Sequence, residues 1–330
     1  MGVVMLSENG TSAFFERIEA AFHRAGIAPL HIRHSPGNPI SEAVLADADV
    51  LLAYGHFRCT EAVMRAAPRL RAVVSPWVGT DGFDIEAATQ LGVAVVNGQP
   101  DEHTQGMAEA TVMMILAASY GLPQARRTMD SGAPRPAEPV AELLASKTLG
   151  IIGLGQIGRR VAALLANWHI AIKAHDPFAG DVPDGIELLP LDDLLRASDI
   201  VTLHMTLTAQ TRHLIDAARL RLMKPDALLV NTARGGLIDE AALFHAMSSG
   251  HLRGAALDVF ETEPLPMDSP LRQLPNIQLT PHMIGQTRQS RAALVDLAVA
   301  NVAALLSGEL PKNLRNRSIS DAWHARWSQR

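Results

Sequence analysis

Three charged residues late in the chain each follow a short apolar run. Arg234 follows ALLVNTA, Glu263 comes just past GAALDVFET, and His282 follows NIQLTP. A guanidinium offers a planar fork to a carboxylate or an oxyanion. A neutral imidazole can take a hydroxyl proton, and an imidazolium can return one. A carboxylate beside the ring fixes its tautomer and raises its basicity. Short apolar runs between helical segments read as buried parallel strands. Open α/β sheets bind ligands outside the carboxyl ends of such strands. The three side chains are therefore expected in one crevice, where they would hold a carboxylate-bearing substrate and move a proton. The chain has 13 histidines. Position at a strand end, not residue type, is what singles out His282. Taken alone, Glu263 also reads as a plain loop carboxylate, and Arg234 as a ligand for a cofactor phosphate.

The middle of the chain carries a second pattern, one that would supply a hydride carrier for these groups to work with. Gly153, Gly155 and Gly158 form GLGQIG directly after the apolar run TLGII and before the helical stretch IGRRVAALLANW. The next run, AIKAHD, ends in Asp176, about 20 residues on, the spacing of a dinucleotide fingerprint. Gly153 would allow the tight turn, Gly155 the close approach of a pyrophosphate, and Gly158 close helix–strand packing. The helix N-terminus would supply free N–H groups and partial positive charge for the phosphates. Asp176 can accept from both ribose hydroxyls and would repel a 2′-phosphate, which favours NAD over NADP. The bland alternative is a glycine-rich turn without a ligand. Arg159 and Arg160 read first as a solvated helix face. Asp258, also at a strand end, would face the nicotinamide.

The elements that must position these groups alternate along the whole chain. GVVML (2–6), DVLLA (49–53), RLRAVVS (69–75) and GVAVVN (92–97) read as strands separated by helices, the first of them SAFFERIEAAFHRAG. GQPDEHTQG (98–106) reads as a hinge, followed by a buried helix over about 107–120 and a Pro-rich loop at 130–140. A second alternating unit then runs through 148–153, 171–176, 199–204, 227–232, 254–259 and 277–280, and a long helix at about 286–307 follows. This pattern predicts an α/β protein with two doubly wound parallel-sheet domains.

Composition narrows the class further. The 330 residues, 48% hydrophobic, are enough for two cores. A net charge of −5 with no basic stripe argues against nucleic acid. One cysteine, Cys59, excludes an intrachain disulfide framework and fits a reducing compartment; a small core residue is its first reading. MGVVMLSENG lacks the pattern of a signal peptide, and the most apolar stretch, ATVMMILAA, is about half a membrane span. A soluble cytoplasmic protein with no membrane partner is expected. HIRH (31–34) lacks a third ligand, so no metal is expected, and no G-x-S-x-G elbow occurs.

With these residues in view, the chain resembles the D-isomer-specific 2-hydroxyacid dehydrogenases over nearly its whole length. The resemblance rests on VVSPWVGTDGFDIEAATQLGVAVVNGQP, TLGIIGLGQIGRRVA, VTLHMTLTAQTRHLI, LMKPDALLVNTARGGLIDEAAL, GAALDVFETEPLP and LTPHMIGQT. It implies a Rossmann cofactor domain (102–285) inserted in a flavodoxin-like substrate domain (1–101 and 286–330), with a cleft between them. It also implies a homodimer formed through the cofactor domain, and the short form without a regulatory domain. The implied roles are acid/base for His282, orientation of that histidine for Glu263, and binding of the substrate carboxylate for Arg234 with the backbone of Val78 and Gly79. The implied cofactor contacts are Gly153, Gly155, Gln156, Ile157, Gly158, Asp176, His204, Thr206, Thr232, Ala233, Asp258, His282 and Gly285. The implied reaction passes a hydride between nicotinamide C4 and C2 of a small 2-oxo or 2-hydroxy acid.

Rival readings are an NAD(H)-sensing, corepressor-like binding protein, and a relative acting on phosphite or formate. The glutamate at 263, where formate dehydrogenases carry glutamine, argues against formate. Three departures from the family pattern concern the pocket. Thr206 replaces a proline, His103 an asparagine, and Ile284 a small residue, where its bulk is expected to crowd the nicotinamide or the substrate. Tyr54, His56, Arg58, Trp77 and His103 are candidates for the specificity pocket.

Overall fold

The computed structural model describes residues 2–8, 11–35 and 37–327. The chain divides into two compact units, 1–103 with 287–330, and 104–286. All strand pairs in both are parallel, as continuous apolar runs without alternation require.

The first unit holds five strands: β1 (Gly2–Ser7), β2 (Pro29–Arg33), β3 (Ala48–Ala53), β4 (Ala72–Val74) and β5 (Ala94–Val96). Their order is β2-β1-β3-β4-β5, the flavodoxin-like arrangement. Sequence reading passes over β2. It is an edge strand whose residues are only partly buried, so it lacks the apolar signal of its neighbours. The helix Arg288–Leu306 is long and apolar enough to cross a membrane by composition. Here Leu294, Val295, Ala298, Val302 and Leu305 are spent in the core of this unit.

The C-terminal segment 318–330, whose role the sequence leaves open, joins the same core as far as it is described. Its helix Ser320–Trp327 seats Trp323 with no exposed surface, and the indole N–H donates to the Arg71 carbonyl at 2.8 Å. The Arg71 guanidinium lies 5.0 Å from the Trp327 ring. Burial of an indole of this size contributes on the order of 4–6 kcal/mol as an upper bound.

The second unit holds β6 (Thr148–Ile152), β7 (Ala171–His175), β8 (Ile186–Leu188), β9 (Ile200–Leu203), β10 (Leu228–Asn231), β11 (Gly254–Leu257) and β12 (Ile277–Leu279). Their order is β12-β11-β10-β9-β6-β7-β8. The direction of winding reverses between β6 and β9, the switch point at which dinucleotides bind in such sheets. β8, three residues at the sheet edge, also escapes sequence reading.

One expectation is corrected. The helix placed at about 107–120 begins at Asp101 and runs to Ser119, so most of the supposed hinge is helical. Pro100 just before it, with Asp101 and Glu102 in its first turn, are helix-start signals that the polar composition masks. A second helix, Leu122–Ser131, occupies the approach to the Pro-rich loop.

Register decides where the chemistry lands. Leu228 to Asn231 pair with Gly254 to Leu257, and Leu257 pairs with Leu279. β10, β11 and β12 therefore end level, and the segments carrying Arg234, Glu263 and His282 leave the same edge of one sheet.

Candidate active site

The glycine-rich turn comes first because each glycine has its own physical reason. Gly153 has φ +96, and a Cβ there would lie 2.8 Å from the carbonyl of His204, just past the end of the neighbouring strand β9. A Cβ on Gly158 would collide with the Gly153 carbonyl. A Cβ on Gly155 would meet nothing within 4 Å. Gly153 and Gly158 thus serve the fold, whereas Gly155 borders open space. No side chain caps the helix Gln156–Leu165 that starts here, so the N–H groups around Gln156 and Ile157 are left for an anion. Asp176 stands at the same turn. Its Oδ2 accepts the Leu154 N–H and its Oδ1 the Phe178 N–H, each at 2.9 Å. This arrangement fits a dinucleotide.

The residues beside the turn are packed tightly. His204 sits next to Gly153, with Nε2 3.0 Å from Thr202 Oγ1. Removal from water pushes its imidazole down to about 4, so it is neutral at pH 7. Thr232 is buried. Its hydroxyl lies 3.0 Å from that of Thr111, which donates to Met107 O, so Thr232 is the donor between them. Ala233 N–H donates to Asn231 Oδ1, and Asn231 Nδ2 to the Arg234 carbonyl. Thr206 is exposed, and its carbonyl accepts from Thr211.

The charged trio is partly assembled by contacts within this unit. His282 Nδ1 lies 2.7 Å from Glu263 Oε2. Glu263 Oε1 accepts the Phe260 N–H at 3.0 Å. Burial pushes the Glu263 carboxyl up, but the hydrogen bonds from His282 and Phe260, with the charges of His282 and Arg234, outweigh it and hold it below its ordinary range. The Arg234 charge thus acts on Glu263. Arg234 Nη1 also donates to the Ala233 carbonyl at 2.7 Å. His282 Nε2 has no hydrogen-bond partner among the described residues.

Asp258 does more than sequence reading assigned to it. Its carbonyl accepts the His282 N–H at 2.7 Å, and its carboxylate accepts from Thr280 Oγ1 (2.7 Å), Met283 N–H (3.1 Å) and Ile284 N–H (3.3 Å). Burial raises its pKa, and these bonds partly oppose the shift. The buried aspartate is the anchor of the histidine loop, where His282 takes φ +51. Ile284 packs against the apolar cluster of Ala108, Met114, Ile151 and Leu154, and Gly285 abuts Met107 so closely that a Cβ would collide. Ile284 is thus partly buried against this cluster.

In the other unit, the turn after β4 carries Val78 and Gly79. The Val78 carbonyl accepts from Asn97 Nδ2 at 2.9 Å and the Gly79 carbonyl from Ser75 Oγ at 2.8 Å. Neither N–H donates to an acceptor among the described residues, so both are available to a carboxylate. Nearby, Tyr54 is buried with its hydroxyl 2.7 Å from His34 Nδ1, and burial, then the Glu8 charge, pushes it up to about 12. His56 lies 3.0 Å from Glu8, and Trp77 stacks on Phe14 at 4.9 Å.

Known proteins share this architecture. Residues 112–284 match the family described as "D-isomer specific 2-hydroxyacid dehydrogenase, NAD binding domain". A glyoxylate reductase of Aeropyrum pernix is 39% identical over 290 residues, 85% of this chain and 86% of that protein. A D-3-phosphoglycerate dehydrogenase of Methanocaldococcus jannaschii is 39% identical over 276 residues, 82% of this chain; the match spans only 52% of that longer protein. The crystal structure of D-lactate dehydrogenase from Aquifex aeolicus, complexed with NAD and lactic acid, superposes with a TM-score of 0.82 at 26% identity, covering 96% of this chain and 99% of that one. With its two parallel sheets, its glycine-rich turn and these matches, the chain belongs to the D-isomer-specific 2-hydroxyacid dehydrogenase family and carries that family's NAD-binding domain.

Proposed function

We propose that this chain is an NAD-dependent 2-hydroxyacid dehydrogenase that reduces glyoxylate or another small 2-oxoacid and catalyses the reverse oxidation. The observation that carries this reading is the 2.7 Å His282–Glu263 couple at the carboxyl edge of a sheet whose switch point holds the glycine-rich turn. Bound NADH supplies a hydride to the C2 carbonyl carbon. Gly155 and the uncapped helix behind it receive the pyrophosphate, and Asp176 accepts from the adenosine ribose. Gln156, Ile157, His204, Thr206, Thr232, Ala233, Asp258 and Gly285 form the rest of the cofactor surface. Arg234 holds the substrate carboxylate on the cofactor-domain side, and the N–H groups of Val78 and Gly79 are carboxylate donors within their own unit. Because Nδ1 of His282 is engaged with Glu263, Nε2 is the atom that gives its proton to the forming C2 alkoxide, leaving a neutral ring. In the oxidative direction the neutral ring takes the hydroxyl proton, and Glu263 stabilises the imidazolium that results.

Exposed Met113, Tyr120, Leu122, Met129, Val140 and Leu143 on the cofactor domain support a homodimer through that domain. A panel of 2-oxoacids assayed with NADH and NADPH tests the reading. Rapid NADH oxidation with at least one 2-oxoacid is expected; none across the panel would refute it.

A further inference from the structure

Behind the trio, three more side chains join the loops that follow β9, β10 and β11. Glu240 opens the helix Glu240–Ser248, six residues after Arg234, and Glu261 stands two residues before Glu263. The two glutamates bond reciprocally. Glu261 Oε1 accepts the Glu240 N–H at 3.1 Å, and Glu240 Oε1 accepts the Glu261 N–H at 2.6 Å. His213, in the loop after β9, closes the arrangement. Its Nε2 lies 3.0 Å from Glu261 Oε2, its own N–H donates to the Gly236 carbonyl at 2.8 Å, and it takes φ +50. Arg212 Nη2 lies 3.5 Å from the same Glu261 oxygen.

Two like charges in reciprocal contact need compensation. The Glu240 N–H at the helix start, the guanidinium and the imidazole, all bonded to Glu261, supply it. Burial raises the Glu240 pKa and the charges of Glu261 and Glu263 add to that, so Glu240 lies within electrostatic reach of the carboxylate that holds His282. The Arg234 turn and the Glu263 loop also touch directly, because a Cβ on Gly235 would collide with the Phe260 backbone. Every contact named lies inside the cofactor-domain unit.

We propose that Glu240, Glu261 and His213 are positioning residues. They clamp the Arg234 turn to the Glu263 loop and so fix the Glu263 carboxylate against His282. This inference rests on the acid/base roles given above. A small displacement of an acid/base couple costs far more in turnover than in cofactor affinity.

The test compares E240A and E261A with E240Q and E261Q, measuring kcat, the 2-oxoacid KM, the NADH dissociation constant by fluorescence, and exchange of the Glu240 and Glu261 amides. Each alanine variant is expected to lose about tenfold or more in kcat while NADH affinity stays within about twofold. Each glutamine variant, which keeps an acceptor oxygen, is expected to recover to within about threefold of the parent protein. Alanine variants with kcat within about twofold of the parent would overturn the clamp, whatever their thermal stability, and so would glutamine variants as impaired as alanine. If the parent protein reduces no 2-oxoacid, the functional reading fails on its own. Amide exchange then decides the clamp: faster exchange at Glu261 in E240A supports it, and unchanged exchange overturns it.

Discussion

Nδ1 of His282 and Oε2 of Glu263 are 2.7 Å apart, which leaves Nε2 as the one ring nitrogen able to exchange a proton with a ligand. Truncation should therefore remove chemistry and spare binding. His282→Ala is expected to lower kcat by about 10²-fold or more, with the NADH dissociation constant changed less than about twofold. Glu263→Ala should fall in the same direction. Stopped-flow turnover paired with fluorescence titration measures both quantities, and near-parent turnover in H282A would remove the histidine from its role.

The three glycines of the turn separate fold from ligand. Gly158→Ala meets the Gly153 carbonyl, and Gly153→Ala meets His204 at φ +96. Each should cost about 2 kcal/mol or more of stability in urea unfolding. Gly155→Val has open space around it, so its stability should change by less than about 1 kcal/mol while its NADH affinity falls about tenfold or more. Equal stability losses at all three positions would contradict this division.

Asp176 lies at the glycine-rich turn with each carboxylate oxygen holding one backbone N–H. A remaining lone pair on each is free for the adenosine ribose, while its charge repels a 2′-phosphate. NAD is expected to exceed NADP in kcat/KM by about 100-fold, and Asp176→Asn should narrow that gap about tenfold. Equal values for the two cofactors in the parent protein would sink the claim.

The neutral His204 makes stability depend on pH. Its folded pKa of about 4 is lower than the unfolded value, so the unfolded chain binds the proton first as pH falls. The contribution is complete above about pH 6.5 and is lost as pH falls through the folded pKa, roughly 3 kcal/mol in all. Unfolding free energies across this window, compared with those of His204→Gln, should show a shallower slope in the variant. Parallel curves would argue against a depressed pKa.

β6, β9, β10 and β11 were legible because they are almost wholly buried, whereas the partly exposed β7 and β12 were placed by the alternation of elements around them. β2 and β8 were not legible, because partly exposed edge strands need no continuous apolar run. Adjacency of Glu263 and His282 followed from strand-end logic and from the family's motifs. The anchoring of the histidine loop by Asp258, and the contacts among His213, Glu240 and Glu261, depend on backbone N–H groups that no residue pattern displays. Ile284 reads as an intruder in sequence, and the structure adds that it is partly buried against the cluster around Met114.

The central claim is that His282, held by Glu263, moves the proton that accompanies reduction of a 2-oxoacid. Single-turnover reduction of glyoxylate and a set of larger 2-oxoacids by prebound NADH, in the parent protein and in H282A, tests it most directly. Rapid NADH oxidation with at least one acid, slowed about 10²-fold or more in H282A at unchanged NADH occupancy, is the predicted result. Equal single-turnover rates in the two proteins, or no oxidation by the parent with any acid, would contradict it.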